Sequence, residues 1–149
     1  MKKLEIISSA FENKKSIPNK YTCDGLNVNP PLDFLNVPPE ARSCTLIVVD
    51  PDAPGKMWVH WVVFNIDPRT TKVKEDSVPL GAVQAVNDFG KAHYGGPCPP
   101  NGPHRYNFKL YALDQMLGVT EDVTLFELEK IMASHILGKA ELTGIYARD

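Results

Sequence analysis

An aspartate and a histidine lie where two apolar runs of strand length meet. Asp50 follows the run Cys44–Val49, and His60 lies near the start of the run Val59–Ile66. If these runs form an antiparallel hairpin in which paired residue numbers sum to 110, Asp50 faces His60 above an apolar wall. A carboxylate beside an imidazole favours the charged imidazolium. Such a pair is suited to bind an anion or to transfer a proton.

A second polar group begins a third alternating run. His104 and Tyr106 share one face of that run, above apolar residues. In the preceding segment 90–103, eight of 14 residues are Gly or Pro, so backbone amides, notably at Gly95 and Gly96, can approach a ligand closely. Imidazoles, a phenol and bare amides over an apolar floor are typical of an anion-binding pocket. The pattern does not show whether this run lies beside the other two.

Each of these residues also has a structural interpretation. A histidine at a strand end is usually a surface or hydrogen-bonded residue. Asp50 and Asp52 flank a proline, as in many turns, and Asp52 is suited to an ion pair with Arg105. The aromatic residues Trp58, Trp61 and Phe89 are expected to pack at the core or rim, and no role is assigned to His93 and His135.

Composition narrows the class of protein. The chain has 149 residues, 16 basic and 18 acidic residues, and a formal net charge of −2. The balanced charge, with no block of Lys or Arg, argues against a dedicated nucleic-acid or anionic-membrane binder. No apolar run approaches the roughly 20 residues of a membrane-spanning helix, and no signal peptide is expected from the first residues. The 13 prolines exceed the usual share of about 5%. One domain over residues 1–149 is expected.

The cysteines are three in number: Cys23, Cys44 and Cys98. They are widely spaced and form no Cys-x-x-Cys pattern, so neither a disulfide framework nor a thiolate zinc site is predicted. They are expected to be small buried or half-buried thiols in a protein of the reducing cytoplasm.

The order of elements predicts a mainly β protein. Expected strands are Leu4–Ile7, Cys44–Val49, Val59–Ile66, Val83–Val86, Arg105–Leu113 and, more weakly, Ala140–Ala147. The hairpin register given above also pairs Leu46 with Phe64 and Val48 with Val62. A capping box at Thr124 and Glu127 predicts a helix from about Leu125 to Leu137, with Gly138 as its C-terminal cap.

Three strings of the sequence resemble the signature blocks of the phosphatidylethanolamine-binding protein family, which includes the Raf kinase inhibitor proteins. They are Asp50-Pro51-Asp52-Ala53-Pro54, Trp58-Val59-His60-Trp61 and the segment Gly96–Tyr106, and Tyr111-Ala112-Leu113-Asp114 continues the match. The length of the chain is similar to that of the compact bacterial and archaeal branch. The resemblance implies a central antiparallel β-sheet with a second small sheet and peripheral helices.

The resemblance also implies a small cavity for anionic groups and a cis bond before Pro54. Because the chain stops shortly after Tyr146, a more open cavity mouth is expected than in eukaryotic members. Prolines in or just ahead of the signature segments are expected to hold the loops rigid around the site. The implied ligand-binding residues are Asp50, His60, Gly96, His104 and Tyr106, with Asp52, Pro54, Trp58 and Pro97 at the rim or in support.

Three functions follow as hypotheses. The first is a regulatory binding protein for a small phosphoryl or carboxylate ligand, such as a phospholipid headgroup or a phosphorylated compound. The second is an inhibitor of a kinase or serine protease that acts through a surface loop. The third, an acid–base or metal-dependent enzyme, is disfavoured because the signature blocks contain no serine and Cys98 has no evident base. We expect no enzyme activity, cofactor, metal or integral membrane association. A homodimer is a candidate assembly, since relatives in this branch are often dimers.

Overall fold

The computed structural model describes residues 2–148 and contains two β-sheets, one α-helix and one short 3₁₀ helix. The elements in chain order are β1 Glu5–Ile7, β2 Lys15–Ser16, the 3₁₀ helix Asn19–Tyr21, β3 Leu32–Leu35, β4 Ser43–Asp50, β5 Trp58–Ile66, β6 Lys72–Val73, β7 Val83–Gln84, β8 His104–Leu113, α1 Leu125–Met132 and β9 Ile136–Tyr146. The mainly β prediction is therefore confirmed. No helix among the described residues is long and apolar enough to span a membrane.

The larger sheet has six strands in the order β2-β9-β8-β4-β5-β7. All neighbouring pairs are antiparallel except β2 and β9, which are parallel. The smaller sheet has the order β1-β3-β6 and is antiparallel. Because β4 is antiparallel to both β5 and β8, the C-terminal end of β4 meets the N-terminal starts of both neighbours.

Every residue of β4 is buried, because apolar material covers both faces of this strand. Leu46 and Val48 belong to one core cluster, which includes Phe34 of the small sheet. Ile47 and Val49 belong to a second cluster, which includes Leu128 of α1. The two-residue period of a strand sends alternate side chains to opposite faces. The continuous apolar run of β4 is thus explained by burial on both sides.

The predicted hairpin register is wrong. Leu46 pairs with Val63 and Val48 pairs with Trp61, and register shifts occur between Cys44 and Leu46 and between Val48 and Val49. Phe64 and Val62, expected opposite Leu46 and Val48, instead belong to the cluster beneath α1. The prediction assumed a regular ladder, whereas β-bulges add a residue to one strand and change which face the following side chains occupy.

The helix begins as predicted but ends earlier. The backbone amide of Glu127 donates to Thr124 Oγ1 at 3.1 Å, and the Thr124 amide donates to Glu127 Oε1 at 3.0 Å. The helix ends at Met132, and Gly138 is not a helix cap, because it lies in β9 opposite Ala112 of β8. Pairing with β8 therefore overrides the helical spacing of the apolar residues that follow.

Two further predictions are also wrong, one about the cysteines and one about a peptide bond. Cys23 and Cys98 form a disulfide with a Cα–Cα distance of 5.4 Å, whereas Cys44 is free and buried as expected. Wide sequence spacing hid this pairing, since the fold alone brings the two cysteines together. No peptide bond between described residues is cis, so the expected cis bond before Pro54 is absent there.

The core gives a direct stability test. Phe108 is fully buried and its ring lies 5.7 Å from the ring of Phe11, whereas Phe126 on α1 is 70% exposed. We expect Phe108→Ala to lower the free energy of unfolding by about 3–5 kcal/mol, because it leaves a cavity. The matched control Phe126→Ala should lower it by less than about 1 kcal/mol. Urea denaturation measures both, and equal losses would contradict the assigned core.

Candidate functional site

A pocket of about 330 Å³ lies where the end of β4 meets the starts of β5 and β8. Four of the five predicted ligand-binding residues line it, namely Asp50, His60, His104 and Tyr106. Each of these four side chains is buried, with at most 6% of its residue surface exposed. A larger groove of about 500 Å³ lies against β1 and β9, but none of its lining residues is a histidine. The sequence-predicted polar groups thus converge at one place.

The aspartate pairs with a different histidine from the one expected. Asp50 Oδ2 lies 2.7 Å from His104 Nδ1, and the predicted Asp50–His60 pair is not formed. The other carboxylate oxygen, Oδ1, accepts a hydrogen bond from the Asp52 amide at 2.8 Å. Because an ionised carboxylate only accepts, His104 Nδ1 carries the proton in this contact. Asp50 therefore fixes the orientation of His104 and leaves His104 Nε2 for a ligand.

His60 enters the pocket from a β-bulge. The β4–β5 register passes from Val48 opposite Trp61 to Val49 opposite Val59, so His60 has no partner on β4. Bulges commonly redirect a side chain at a functional site. Here the extra residue lies beside Trp61, and both side chains are buried.

Hydrogen bonds hold the bulge at both the ring and the backbone. His60 Nδ1 lies 2.6 Å from the Gly95 carbonyl oxygen, while the His60 carbonyl accepts from the Gly95 amide and from Asn87 Nδ2. Since a carbonyl only accepts, Nδ1 of His60 is the donor. Burial lowers the pKa of His60 below its ordinary value of 6.5, against smaller opposing effects of the Gly95 carbonyl and the Asp50 charge. The ring is therefore neutral at neutral pH, with Nε2 able to accept a hydrogen bond.

Tyr106 brings a buried hydroxyl to the pocket. Among the buried side-chain polar atoms of residues 2–148, only the Thr45 and Tyr106 hydroxyls lack a hydrogen-bond partner. Asp50 and the Cys98 backbone lie near enough to influence the phenol, but neither completes a hydrogen bond of normal geometry. Burial, reinforced by the Asp50 charge, raises the pKa of Tyr106 well above its ordinary value. The phenol stays protonated and can donate.

Aromatic rings and prolines form the pocket walls. The His60 ring lies edge-on to Tyr106 and to Phe89, with ring centroids 5.2 Å apart in each case. Trp58 lies edge-on to Phe89 at 5.7 Å. The remaining lining residues are Ala53, Pro54, Cys98, Pro99 and Pro100. The predicted rim positions Trp58 and Pro54 therefore lie at the pocket.

The other predicted positions support the pocket from outside its walls. Gly96, expected to offer a bare amide, donates that amide to Asn27 Oδ1 at 2.8 Å, and the Pro97 carbonyl accepts from the Cys23 amide. A Cβ atom at Gly96 would lie 2.4 Å from the Tyr21 carbonyl oxygen, so the glycine is needed for close packing. The expectation that the amides of Gly95 and Gly96 face a ligand is thus wrong. Asp52 forms an ion pair with Arg105, the structural alternative considered above.

Sequence reasoning missed the residues that shape the wall opposite β8. Asn87 is buried and donates to the carbonyls of His60 and His93, and its Oδ1 accepts from the amides of Phe89 and Lys91. Asp88 Oδ2 accepts from the Val59 amide at 2.7 Å. An Asn-Asp pair before a Phe-Gly turn is a common loop pattern, so only the fold reveals its place beside the bulge. Within residues 2–148, no cluster of three His, Cys, Asp or Glu residues is arranged to hold a metal ion.

The Asp52–Arg105 ion pair predicts a pH effect on stability. The Arg105 side chain and amide both donate to Asp52, and they lower the pKa of Asp52 to about 2, from an ordinary 3.8. Because the folded pKa is depressed, this stabilisation is fully present above about pH 4 and is lost as the pH falls through about 2.

Arg105→Ala should return the pKa of Asp52 toward its ordinary value, as measured by NMR titration of the carboxyl carbon. Arg69→Ala is the matched control, because Arg69 lowers the pKa of Asp67 to about 2 in the same way. In Arg69→Ala the pKa of Asp52 should stay low. A low pKa for Asp52 in Arg105→Ala would contradict the pairing.

Comparison with known proteins shows the family. The family model described as "Phosphatidylethanolamine-binding protein" matches residues 7–147. A UPF0098 protein of the archaeon Methanothermobacter thermautotrophicus is 46% identical over 150 residues, which cover 97% of this chain and 99% of that protein. A UPF0098 protein of Chlamydia muridarum is 42% identical, with 98% of this chain and 100% of that protein covered.

Solved structures give the same result. A crystal structure of a phosphatidylethanolamine-binding protein homologue from Chlamydia trachomatis has a TM-score of 0.96 and 42% identity, and covers 100% of both chains. The structure of Escherichia coli YbcL, described as a member of the mammalian family, has a TM-score of 0.92 and 32% identity, and covers 99% of this chain and 100% of that chain. The chain therefore belongs to the phosphatidylethanolamine-binding protein family, among its bacterial and archaeal members.

Proposed function

We propose that this protein is a binding protein whose pocket takes the phosphoryl or carboxylate group of a small ligand. The observation that carries the proposal is the Tyr106 hydroxyl, which is buried in the pocket, protonated and without a hydrogen-bond partner. An unmade hydrogen bond of a buried polar group costs roughly 1–3 kcal/mol. A ligand oxygen that accepts from Tyr106 would remove this cost.

The two histidines supply the rest of the ligand shell. His104 is held by Asp50 through Nδ1, and His60 is held by the Gly95 carbonyl through Nδ1, so each ring has Nε2 free for a ligand. Asp50 adds a negative charge to the pocket, so a bound anion needs at least one protonated imidazole nearby. We therefore propose that anion binding and protonation of the histidines are coupled.

A binding role is favoured over a catalytic one by the residues present. No serine or threonine is among the lining residues, and Cys98 is held in the disulfide. The pocket therefore lacks a serine, threonine or free cysteine that could serve as an activated nucleophile. We therefore propose that the protein is not an enzyme. A cytoplasmic location stays a prediction, and the Cys23–Cys98 disulfide does not favour it, since disulfides are rare in that compartment.

Kinase or protease inhibition through a surface loop remains the alternative function, since family members include Raf kinase inhibitor proteins. The exposed wall residue Pro100 lies at the pocket mouth, where a docked protein would compete with a small ligand. Inhibition that survives His104→Ala unchanged would favour a surface-loop inhibitor over a pocket-dependent one.

Tyr106→Phe separates a ligand-binding role from a structural one. The variant loses only an unpaired hydroxyl, so the free energy of unfolding should stay the same or rise. The affinity for phosphate, measured by isothermal titration calorimetry, should fall about five- to tenfold, which corresponds to about 1–1.4 kcal/mol. Unchanged affinity would contradict contact between the hydroxyl and the ligand.

His104→Ala should weaken phosphate binding further, because it removes a donor and leaves Asp50 unpaired. His135→Ala is the matched control, since His135 Nδ1 lies 2.8 Å from Asp114 Oδ1 in a similar pair near the opposite end of β8. That end is about 30 Å away for a ten-residue strand. Equal loss of affinity in both variants would contradict a local role for His104.

Affinity should also depend on pH. Acetate stays ionised between about pH 8 and pH 6, so a change in its affinity over this range reports the protein. Because the pKa of His60 is lowered and a bound anion favours the imidazolium, acetate should bind more tightly as the pH falls. The increase should shrink in His60→Gln. A flat profile in the unsubstituted protein would contradict proton-coupled binding.

A further inference from the structure

The Cys23–Cys98 disulfide joins the pocket wall to a distant part of the chain. Cys98 lines the pocket, whereas Cys23 follows the 3₁₀ helix near the N-terminus, 75 residues earlier. The same N-terminal loop contains Asp24, which accepts a hydrogen bond from the Tyr146 hydroxyl at the end of β9. The disulfide therefore attaches a wall of the pocket to a loop that is itself fixed to the large sheet.

The segment before Cys98 is held without the disulfide. The Tyr94 hydroxyl donates to the Tyr21 carbonyl at 2.8 Å, and the amides of Gly95 and Gly96 donate to the His60 carbonyl and to Asn27 Oδ1. The Pro97 carbonyl accepts from the Cys23 amide at 3.1 Å. Residues 94–97 would keep these contacts after the S–S bond is broken.

The segment that follows, 98–103, is held differently. Within the described part of the chain, this segment makes no hydrogen bond between backbone groups. It nevertheless supplies Cys98, Pro99 and Pro100 to the pocket, and its backbone at Cys98 lies beside the Tyr106 phenol. Apart from the polypeptide chain itself, the disulfide is its one covalent link to the rest of residues 2–148. Breaking the S–S bond would free this wall while leaving the sheets intact.

The two ends of the disulfide differ in exposure. Cys98 is exposed and lines the pocket, whereas Cys23 is half-buried, so Cys98 is the more accessible of the two residues. The third cysteine, Cys44, is only 1% exposed, and burial raises the pKa of its thiol to about 11. Cys44 is therefore an unreactive thiol within the same chain.

We propose that the Cys23–Cys98 disulfide is a thiol–disulfide exchange site that controls the anion pocket, with the oxidised protein as the tight-binding form. This inference rests on the proposed function of the pocket. The reductant is a dithiol. One thiolate attacks Cys98 Sγ, the S–S bond breaks, and Cys23 leaves as a thiolate that takes up a proton. The second thiol of the reductant then attacks its own mixed disulfide and releases Cys98, so the dithiol is oxidised and both cysteines are reduced.

The experiment measures phosphate affinity by calorimetry in the oxidised protein, after reduction with dithiothreitol, and after reoxidation. Reduction should weaken binding about tenfold, within the usual range of coupling between two sites, and reoxidation should restore it. Cys23→Ser removes the link and leaves Cys98 in the pocket as a free thiol, as in the reduced protein. It should bind like the reduced protein and show no response to the reductant, whereas the control Cys44→Ala should respond as the unsubstituted protein does.

The possible outcomes separate redox control of the pocket from anion binding itself. Equal affinity in the oxidised and reduced forms would overturn the redox control and leave anion binding standing. Absence of phosphate binding in the oxidised protein would overturn both. Thiol titration in denaturant should find one thiol in the oxidised protein and three after reduction. Three thiols after treatment with an oxidant would show that the disulfide does not form and would also overturn the inference.

Discussion

Strand β4 has no free edge and no exposed face. It pairs with β5 on one side and β8 on the other, and separate apolar clusters cover its two faces. Since both neighbours run antiparallel to it, its last residue lies beside the first residues of both. That last residue is Asp50, a buried carboxylate. The position of the pocket follows from this arrangement, because a charge at a fixed and buried point must find partners there.

The partners of Asp50 come from both sides of the strand end. His104 begins β8 and meets one carboxylate oxygen, while the Asp52 amide in the loop after β4 meets the other. Removing one member of such a buried arrangement usually costs more than the pair contributes. Asp52 in turn is held by Arg105, the residue after His104. Two adjacent pairs thus connect the same strand ends, one buried at the pocket and one at the surface.

Local periodicity was sufficient to predict some of the site. The alternation that places His104 and Tyr106 above Phe108 is a property of a single strand, and β8 follows it. The capping box at Thr124 and Glu127 likewise involves residues that are close in sequence, and it was predicted correctly. The register between strands was harder to predict, because the position of His60 depends on a β-bulge that has no recognisable sequence pattern here. The disulfide was missed for the same reason, since residues 23 and 98 meet only when the fold is complete.

The resemblance to a family supplied what periodicity could not. It predicted that His60 and Asp50 line the same pocket, although the register assumed from periodicity was wrong. It also implied pocket positions for Pro54 and Trp58, and both line the walls. It did not indicate how Gly96 acts, because a glycine needed for packing against Tyr21 and one that offers its amide have the same sequence signature.

The bulge at His60 also sets the phase of β5 relative to β4. Trp61 and Val63 lie with the core between the sheets, whereas Val62 and Phe64 lie with the core beneath α1. His60 is the extra residue of the bulge, so its deletion would leave Trp61 opposite Val48 and Val59 opposite Val49 in a regular ladder. The pairing of β4 with β5 therefore does not require this residue, whereas the pocket does, because His60 lines it. Sequence length at the bulge is thus constrained by the pocket and not by the sheet, since the loss of one residue there would remove an imidazole without moving Trp61.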